Sequence, residues 1–487
     1  MRHDDQRAPS LGHYVEALSN AIPDERDPRW RVMGTRHMTF EFPGAPSVVS
    51  RICTDPKDRR AVRFGVMPRP RDVILVAFEG PDRYSFVGGL ATRMNDLAQA
   101  LAARGHRARH IFIGDPDLPA TETRLDGRLV LERWSQWISA YHPKDVYDGE
   151  EGKRSDLTRS LPPQLVEDIV APAAAEGRLV TILFEDWQTA AAAVETHLLL
   201  AARGLRGAAS LLWNSNSTYG YDEIDFPALE RAAVVTTVSR FMRAETMRLA
   251  GVDPQILPNG IAERYLTPLP AEGRILLRAA FGRPTFVKVA RFDPDKSWLW
   301  AIDAIAALRD EGRPARLLMR GSRSDYAGTV LGRIARNALS IDRISLPADA
   351  PLRDVATAIH GSEADITFLD FFIDETVLRA LYAAADGVLA NSEREPFGLV
   401  GLEVMACGGV AFVGRTGEDY AVPYGNSVVV QTNDPRELGA HLATLRGDRR
   451  LSERIRAEGR ETAKRFSWTS VLDGYEAAWD AAARMGR

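Results

Sequence analysis

Cysteine, lysine and long apolar runs are all scarce in this chain of 487 residues. The two cysteines, Cys53 and Cys407, stand far apart with no CxxC partner and no zinc-type spacing. That excludes a disulfide framework and a cysteine-built metal site, and it fits a reducing compartment. Nowhere do 18 apolar residues run unbroken, and the polar start Met1-Arg-His-Asp-Asp has no apolar stretch behind it; a cytoplasmic, non-spanning protein is expected. The nine histidines include no pair at ligand spacing, and no paired Asp marks a divalent site, so neither an essential metal nor a bound cofactor is expected. Excess charge is missing too. A formal charge of −4 gives no bulk field for nucleic acid or anionic lipid, so any phosphate recognition has to be local. Only six of the 62 basic residues are lysine, and against that bias the pair Lys288 and Lys296 stands out.

What is present is an average soluble composition, 45% hydrophobic and 26% charged, over a length that suits two domains. Residues 1–70 are irregular and rich in Pro, Arg and Asp, with only short strand-like stretches such as Met38–Phe42; no chemistry is assigned to them. From Asp72 onward, apolar runs of strand length (73–78, 109–113, 179–184, 209–213 and 233–238) alternate with amphipathic stretches of helix length such as 91–104. A break rich in Pro and Gly, from Leu257 through Gly273, reads as a hinge. A second series follows, with strands expected at 285–290, 316–319, 366–369, 387–390, 410–413 and 427–431. Alternation of this kind predicts two parallel sheets wrapped by helices, and a cleft between their carboxyl edges as the ligand site. The Ala-rich stretch 190–202 reads as helix surface, and Arg133–Tyr141 as an amphipathic helix, buried or interdomain rather than a peripheral membrane contact.

Three stretches suit chemistry on their own terms. Ser392-Glu-Arg-Glu-Pro-Phe-Gly-Leu-Val-Gly-Leu-Glu403 follows a strand, turns through Pro396 and Gly398, and enters a helix near Leu399 whose free N–H groups suit a diphosphate. Glu395 precedes that helix and Glu403 lies within it. Eight helical steps span about 12 Å, so the two carboxylates are expected at opposite ends of one extended ligand. In Arg291-Phe-Asp-Pro-Asp-Lys-Ser297, Arg291 and Lys296 flank one strand-to-helix loop, with a helix starting near Ser297, where they can bracket a diphosphate. Gly88-Gly89, ahead of the helix 91–104, is expected to admit a ligand close to backbone and to leave amides pointing into the cleft.

The run from Glu395 to Gly409 resembles the retaining glycosyltransferases of family 4, which carry Glu-x7-Glu in the setting Glu-Pro-Phe-Gly-Leu and Ala-Cys-Gly. Arg291 and Lys296 match the basic positions of the same family. Gly88-Gly89-Leu90 and Phe184-Glu-Asp-Trp-Gln-Thr189 are similar to segments of bacterial glycogen and starch synthases, with Glu185 where those have His. Arg320-Gly321, Thr416-Gly-Glu418 and Phe466-Ser-Trp468 fall in the family's order. The resemblance implies a GT-B fold of two doubly wound, Rossmann-like α/β domains: residues 71–262 for the acceptor, 263–466 for a nucleotide diphosphate sugar, and 467–487 as a helix that crosses back, with Ser467 as its N-cap. It implies transfer of a hexose-type sugar with retention, without a metal. Glu395, Arg291 and Lys296 would serve the chemistry. Glu403, Phe397, Gly398, Leu399, Arg320 and Gly321 would bind the donor, and Gly88, Gly89, Asp186, Asn214, Ser215 and Asn216 would line the acceptor side. Many relatives have a His near Asn214–Asn216; by spacing, Ser215 takes its position here. A nucleotide-sugar epimerase or hydrolase, or a catalytically silent nucleotide-sugar-binding partner subunit, would share the same phosphate grip, and the donor base and the acceptor stay open.

Overall fold

The computed structural model describes residues 70–321 and 324–485, and upstream of them only the backbones of four short strands. These are β1 (Trp30–Val32), β2 (His37–Phe40), β3 (Val48–Arg51) and β4 (Phe64–Val66), paired antiparallel in sequential order within a unit of their own, Met1–Pro70. The stretch read at Met38–Phe42 overlaps β2. Cys53 lies outside the described residues.

The second unit, Arg71–Arg487, is built on two sheets. The first contains β5 (Asp72–Val76), β6 (Arg107–Ile113), β7 (Thr121–Arg124), β8 (Leu129–Trp134), β9 (Val180–Glu185), β10 (Ala209–Ser215), β11 (Val234–Thr237) and β12 (Gln255–Ile256). Their order is β12-β11-β10-β9-β5-β6-β8-β7, parallel throughout except for β7 against β8. β5, β9 and β10 are buried at every position, because helices cover both faces, and unbroken apolar runs follow from that. On one face Ile74, Val76, Phe184 and Trp213 pack under the helices Glu150–Gln164 and Ala190–Ala202. On the other, Val73, Leu75, Leu183 and Leu212 pack under the helix Gly89–Ala103 and the last helix, Trp468–Met485. The reading of 190–202 as helix surface is corrected: Ala190, Ala192 and Ala193 are core, their small side chains letting the helix lie close to its neighbours.

The second sheet contains β13 (Thr285–Val289), β14 (Arg316–Arg320), β15 (Ile341–Ile344), β16 (Ile366–Leu369), β17 (Gly387–Leu389), β18 (Ala411–Val413) and β19 (Val428–Val429), all parallel in the order β15-β16-β14-β13-β17-β18-β19. In each sheet the chain runs outward from a central strand, β5 or β13, and returns to that strand's other side as β9 or β17. A crevice opens at the carboxyl ends where the order reverses.

Two crossings join the halves side by side. Ile261 N–H donates to the Phe466 carbonyl (2.8 Å) and Trp468 N–H to the Ile261 carbonyl (3.1 Å). Gly260 has no room for a side chain, because a Cβ there would sit 2.4 Å from the Trp468 ring. Ser467 caps the last helix, its hydroxyl accepting from the Ser470 N–H at 3.2 Å. The amphipathic helix expected over Arg133–Tyr141 is corrected: Arg133 and Trp134 end β8, and only Gln136–Ser139 is helical. Arg133 is buried on Asp82 (2.7 and 2.8 Å). Among the described residues no helix is long and apolar enough to cross a membrane.

Candidate active site

The loops after β13, β17 and β18 are tied into one platform at the carboxyl edge of the second sheet. Asp293 accepts from the Asp295 N–H (3.0 Å), Pro294–Lys296 make one 3-10 turn, and Ser297, at a φ of 50°, swings the chain into the helix Trp298–Asp310. The Glu393 N–H donates to the Asp295 carbonyl (2.8 Å), fastening this turn to the next loop. There Lys296 Nζ and Ser392 Oγ both donate to Glu395 Oε2, at 2.8 and 2.9 Å. Glu395 is held from behind as well. Its N–H donates to Thr416 Oγ1 (2.9 Å), and its carbonyl accepts from Gly417 N–H (2.8 Å). Glu418 braces that second loop by accepting the N–H groups of Gly414 (3.0 Å) and Thr416 (3.1 Å). Burial, reinforced by the charge of Glu395, pushes its carboxyl up to about 7.

Gly398 turns the chain at a φ of 84° into the helix Leu399–Ala406. A Cβ at Gly398 would lie 2.7 Å from the Glu418 side chain, so a glycine is needed there on both counts. Phe397 is buried between Tyr420 and Phe466, and Leu399 packs half-buried on the same core. What Phe397, Gly398 and Leu399 offer a ligand is therefore backbone at a helix start. Arg291 stands free of such ties. Its side chain is 53% exposed, and its nearest carboxylate, Asp293, is 4.0 Å away. Arg320 donates instead to the carbonyls of Phe371 (2.8 Å) and Gly321, while a Cβ on Gly321 would fall 2.2 Å from the Phe292 ring. This pair shapes the end of β14.

Glu403 lies one turn into the helix Leu399–Ala406, half-buried, its carboxylate without a hydrogen-bond partner among the described residues. Burial first, then the charge of Asp96, lifts its carboxyl to about 7, while Arg264 pulls the other way. Arg264 is already paired with Asp96 (2.9 Å) and Glu375 (2.6 Å). Beneath the platform is Lys288, buried on β13, its Nζ donating to the carbonyls of Leu389 (2.9 Å) and Asn391 (3.1 Å) at and just past the end of β17. Burial and the nearby Lys296 lower it to about 7.

Across the crevice, the expectation that Gly88 and Gly89 leave amides free is corrected for Gly88 alone. Glu79 Oε2 accepts the N–H groups of Gly88 (3.2 Å) and Ala91 (3.0 Å), and the Tyr147 hydroxyl donates to Glu79 Oε1 (2.6 Å). Asp186 sits at the end of β9 with a φ of 61° and a ψ of 176°, a conformation that only glycine adopts without strain. Its Oδ1 accepts from the Asn216 N–H (3.1 Å). Burial, then the charge of Glu185, pushes it up to about 7. Glu185 is fully buried on Arg93 (2.8 Å), with the Asn214 amide at 2.7 Å and the Asn216 amide also donating to it. The expectation that Asn214 and Ser215 line the cleft is corrected too, for both are fully buried, the Asn214 amide tied to Glu185 and Thr236 and the Ser215 hydroxyl shared with the Ser217 carbonyl (2.9 Å) and the Tyr221 hydroxyl (2.6 Å). Sequence reading missed Glu79 and Tyr147. An acidic residue closing the run 73–78 ahead of a helix was the available signal for Glu79; Tyr147 had none, being 68 residues away.

Among the described residues no group of three or more His, Cys, Asp or Glu is placed to hold a metal ion. A cavity of about 740 Å³ lies at the opposite, amino edge of the second sheet, lined by Arg278, Asp386, Val410 and Arg456. It is remote from the loops just described, and both of those arginines already donate to backbone carbonyls.

Two doubly wound sheets whose carboxyl-edge loops carry these groups define a GT-B architecture. Residues 277–462 match the family Glycosyl transferases group 1, and the chain carries a domain of that family. Over 250 residues it is 28% identical to the GDP-mannose-dependent alpha-(1-6)-phosphatidylinositol dimannoside mannosyltransferase of Mycobacterium tuberculosis, covering 50% of this chain and 57% of that one. The chain thus spans little more than half the length of that curated relative. In fold it is similar to the catalytic domain of starch synthase IV from Arabidopsis thaliana, with a TM-score of 0.61 and 18% identity over 85% of this chain and 100% of that one. It is similar also to sucrose-phosphate synthase from Thermosynechococcus elongatus, with a TM-score of 0.60 and 20% identity over 84% and 98%.

Proposed function

We propose that this chain is a retaining glycosyltransferase that moves a hexose-type sugar from a nucleotide diphosphate sugar to an acceptor hydroxyl. Residues 263–466 hold the donor, residues 71–262 hold the acceptor, and the helix within 467–487 crosses back to the first half. The observation that carries this reading is the contrast within one motif: Glu395 is locked by Lys296 and Ser392, while Glu403, eight residues on, has no such partner among the described residues. A nucleotide donor is supported by the name of the mannosyltransferase relative, which specifies GDP-mannose.

In this mechanism Arg291, Lys296 and the N–H groups at the start of the helix Leu399–Ala406 neutralise the diphosphate and meet the charge that grows on the leaving oxygen. That same β-phosphate oxygen accepts the proton of the acceptor hydroxyl. Attack and departure then share one face of the sugar, and configuration is retained. Glu395, paired with Lys296, bridges the sugar and phosphate positions, and Glu403 accepts from the ribose hydroxyls. Because side-chain cations and helix amides supply the positive charge, turnover needs no divalent metal. The test is incubation with labelled nucleotide sugars, with and without a chelator, followed by assignment of the product anomer. Transfer to an acceptor with the donor's anomeric configuration, undiminished by chelation, is expected. Acceptor-free isomerisation, hydrolysis alone or binding without turnover would each replace this reading.

A further inference from the structure

The cavity at the amino edge of the second sheet is walled by three helices, Ala271–Phe281, Glu437–Gly447 and Arg449–Arg465. At about 740 Å³ it has the size of a small-molecule site. Its apolar lining includes Val410, Leu442 and Leu445, all buried, and Ile275, which is 62% exposed. Five arginines line it, Arg274, Arg278, Arg446, Arg449 and Arg456, against two carboxylates, Asp386 and Glu453. Both carboxylates are already engaged. Asp386 accepts from the Thr285 N–H (2.9 Å) and from Arg278 (3.2 Å), and Glu453 accepts from Arg449 (3.0 Å) at the rim. Arg274 and Arg446 are exposed and have no hydrogen bond or ion pair among the described residues. Arg456 is half-buried and donates only to carbonyls, those of Ala383 (3.1 Å), Gly408 (2.8 Å) and Ala385 (2.8 Å). Burial first, then the charge of Arg278, lowers its guanidinium to about 10, with Arg274 and Arg460 acting the same way and Asp386 opposing. Cations thus crowd a cavity whose own carboxylates are spoken for. The helix on its wall adds a second sign. Arg449–Arg465 opens with two arginines and no acidic residue in its first turn, although that end of a helix favours anions. Asp448 caps it from outside, accepting from the Leu451 N–H (3.0 Å).

We propose that this cavity is a second ligand site, separate from the carboxyl-edge crevice, and that it takes an organic phosphate, whose anionic group meets Arg274, Arg446 and Arg456 and whose apolar or flat body meets Ile275, Leu442 and Leu445. The site goes beyond the glycosyl transfer proposed above and does not depend on it. An inorganic anion alone would leave the apolar lining uncovered, and an uncharged ligand would leave the guanidinium groups without a counter-charge. Guanidinium forks match phosphate oxygens in geometry and also stack on flat rings.

The test is phenylglyoxal labelling of arginines in the full chain, read residue by residue by peptide mass spectrometry as phenyl phosphate or inorganic phosphate is added. Phenyl phosphate is expected to protect Arg274 and Arg446 at concentrations roughly tenfold or more below those at which inorganic phosphate protects them. At those concentrations Arg203, exposed on the first half, is expected to stay reactive. Arg446→Ala is expected to raise the concentration that half-protects Arg274 by about threefold or more, and Arg274→Ala to do the same for Arg446. Both positions are exposed, so neither substitution threatens the fold. Arg291, read in the same digests, reports the carboxyl-edge crevice, so occupancy of the two places is told apart. Protection of Arg203 alongside the pair, or no protection of Arg274 and Arg446, overturns the proposal. So does inorganic phosphate protecting the pair as well as the ester does, or either substitution leaving the other arginine's protection unchanged.

Discussion

Glu395 and Glu403 belong to one motif and meet different surroundings, so their loss should be felt differently. Glu403→Gln is expected to raise KM for the donor and to weaken the free nucleoside diphosphate alike, because in the proposed arrangement its carboxylate accepts from the ribose hydroxyls. Glu395→Gln is expected to leave nucleoside diphosphate affinity nearly intact and to lower kcat, the pattern of an interaction realised in the transition state. Initial rates alongside calorimetric titration separate the two, and the opposite assignment would reverse the donor's polarity in the cleft. Lys288 offers a pH test. Its folded-state value is lowered from 10.5 to about 7, so between those values the unfolded chain binds the extra proton and stability rises with pH. Relative to Lys288→Met, wild type should gain on the order of 1 kcal/mol per pH unit across that window in chemical denaturation, and parallel curves would contradict this. The sequence makes Lys288 conspicuous through the scarcity of lysine, yet its burial on β13 against the end of β17 depends on packing that no local pattern encodes.

Ser297 illustrates what an element asks of a single position. It takes the left-handed conformation, φ 50°, at the join between the 3-10 turn and the helix Trp298–Asp310, where a non-glycine residue is strained. Ser297→Gly is expected to stabilise the fold by about 0.5–1 kcal/mol, the relief of strain outweighing the greater freedom of glycine in the unfolded chain. Thermal and urea unfolding measure it, and a loss of stability would show that the serine side chain matters more than its backbone. The elements easiest to read from sequence are β5, β9 and β10, because burial on both faces leaves unbroken apolar runs. β7, β8, β12 and β15 escaped reading. β12 has only two residues, and β7 and β15 are edge strands with polar or exposed faces, so periodicity has little to act on. The Glu395–Glu403 motif was legible because its turn and helix start are local. The Glu79 cap was not, because it is completed by Tyr147 from a distant loop.

Across the whole molecule the halves are joined at defined points. Arg240 meets Asp419 (3.1 Å), Arg394 meets Glu245 (2.6 Å) and Arg264 meets Asp96 (2.9 Å). Arg93 is the buried node between the first sheet, the hinge and the last helix, binding Glu185 (2.8 Å), Asn259 (2.5 Å) and the Tyr475 hydroxyl (3.0 Å). Arg93→Met leaves the Glu185 charge buried without its cation, and is expected to cost about 3–5 kcal/mol in urea denaturation. A change below about 1 kcal/mol would mean that the node is not structural. The most direct test of the central claim is calorimetric titration of nucleoside diphosphates into wild type, Arg291→Ala and Lys296→Ala in the presence of a chelator. Wild type should bind at least one nucleoside diphosphate, and each variant should bind it roughly 10–100-fold more weakly, the loss of one charged hydrogen bond worth about 1.5–3 kcal/mol. Affinities unchanged in both variants, or no binding by wild type, would contradict the assignment of this cleft to a nucleotide diphosphate sugar.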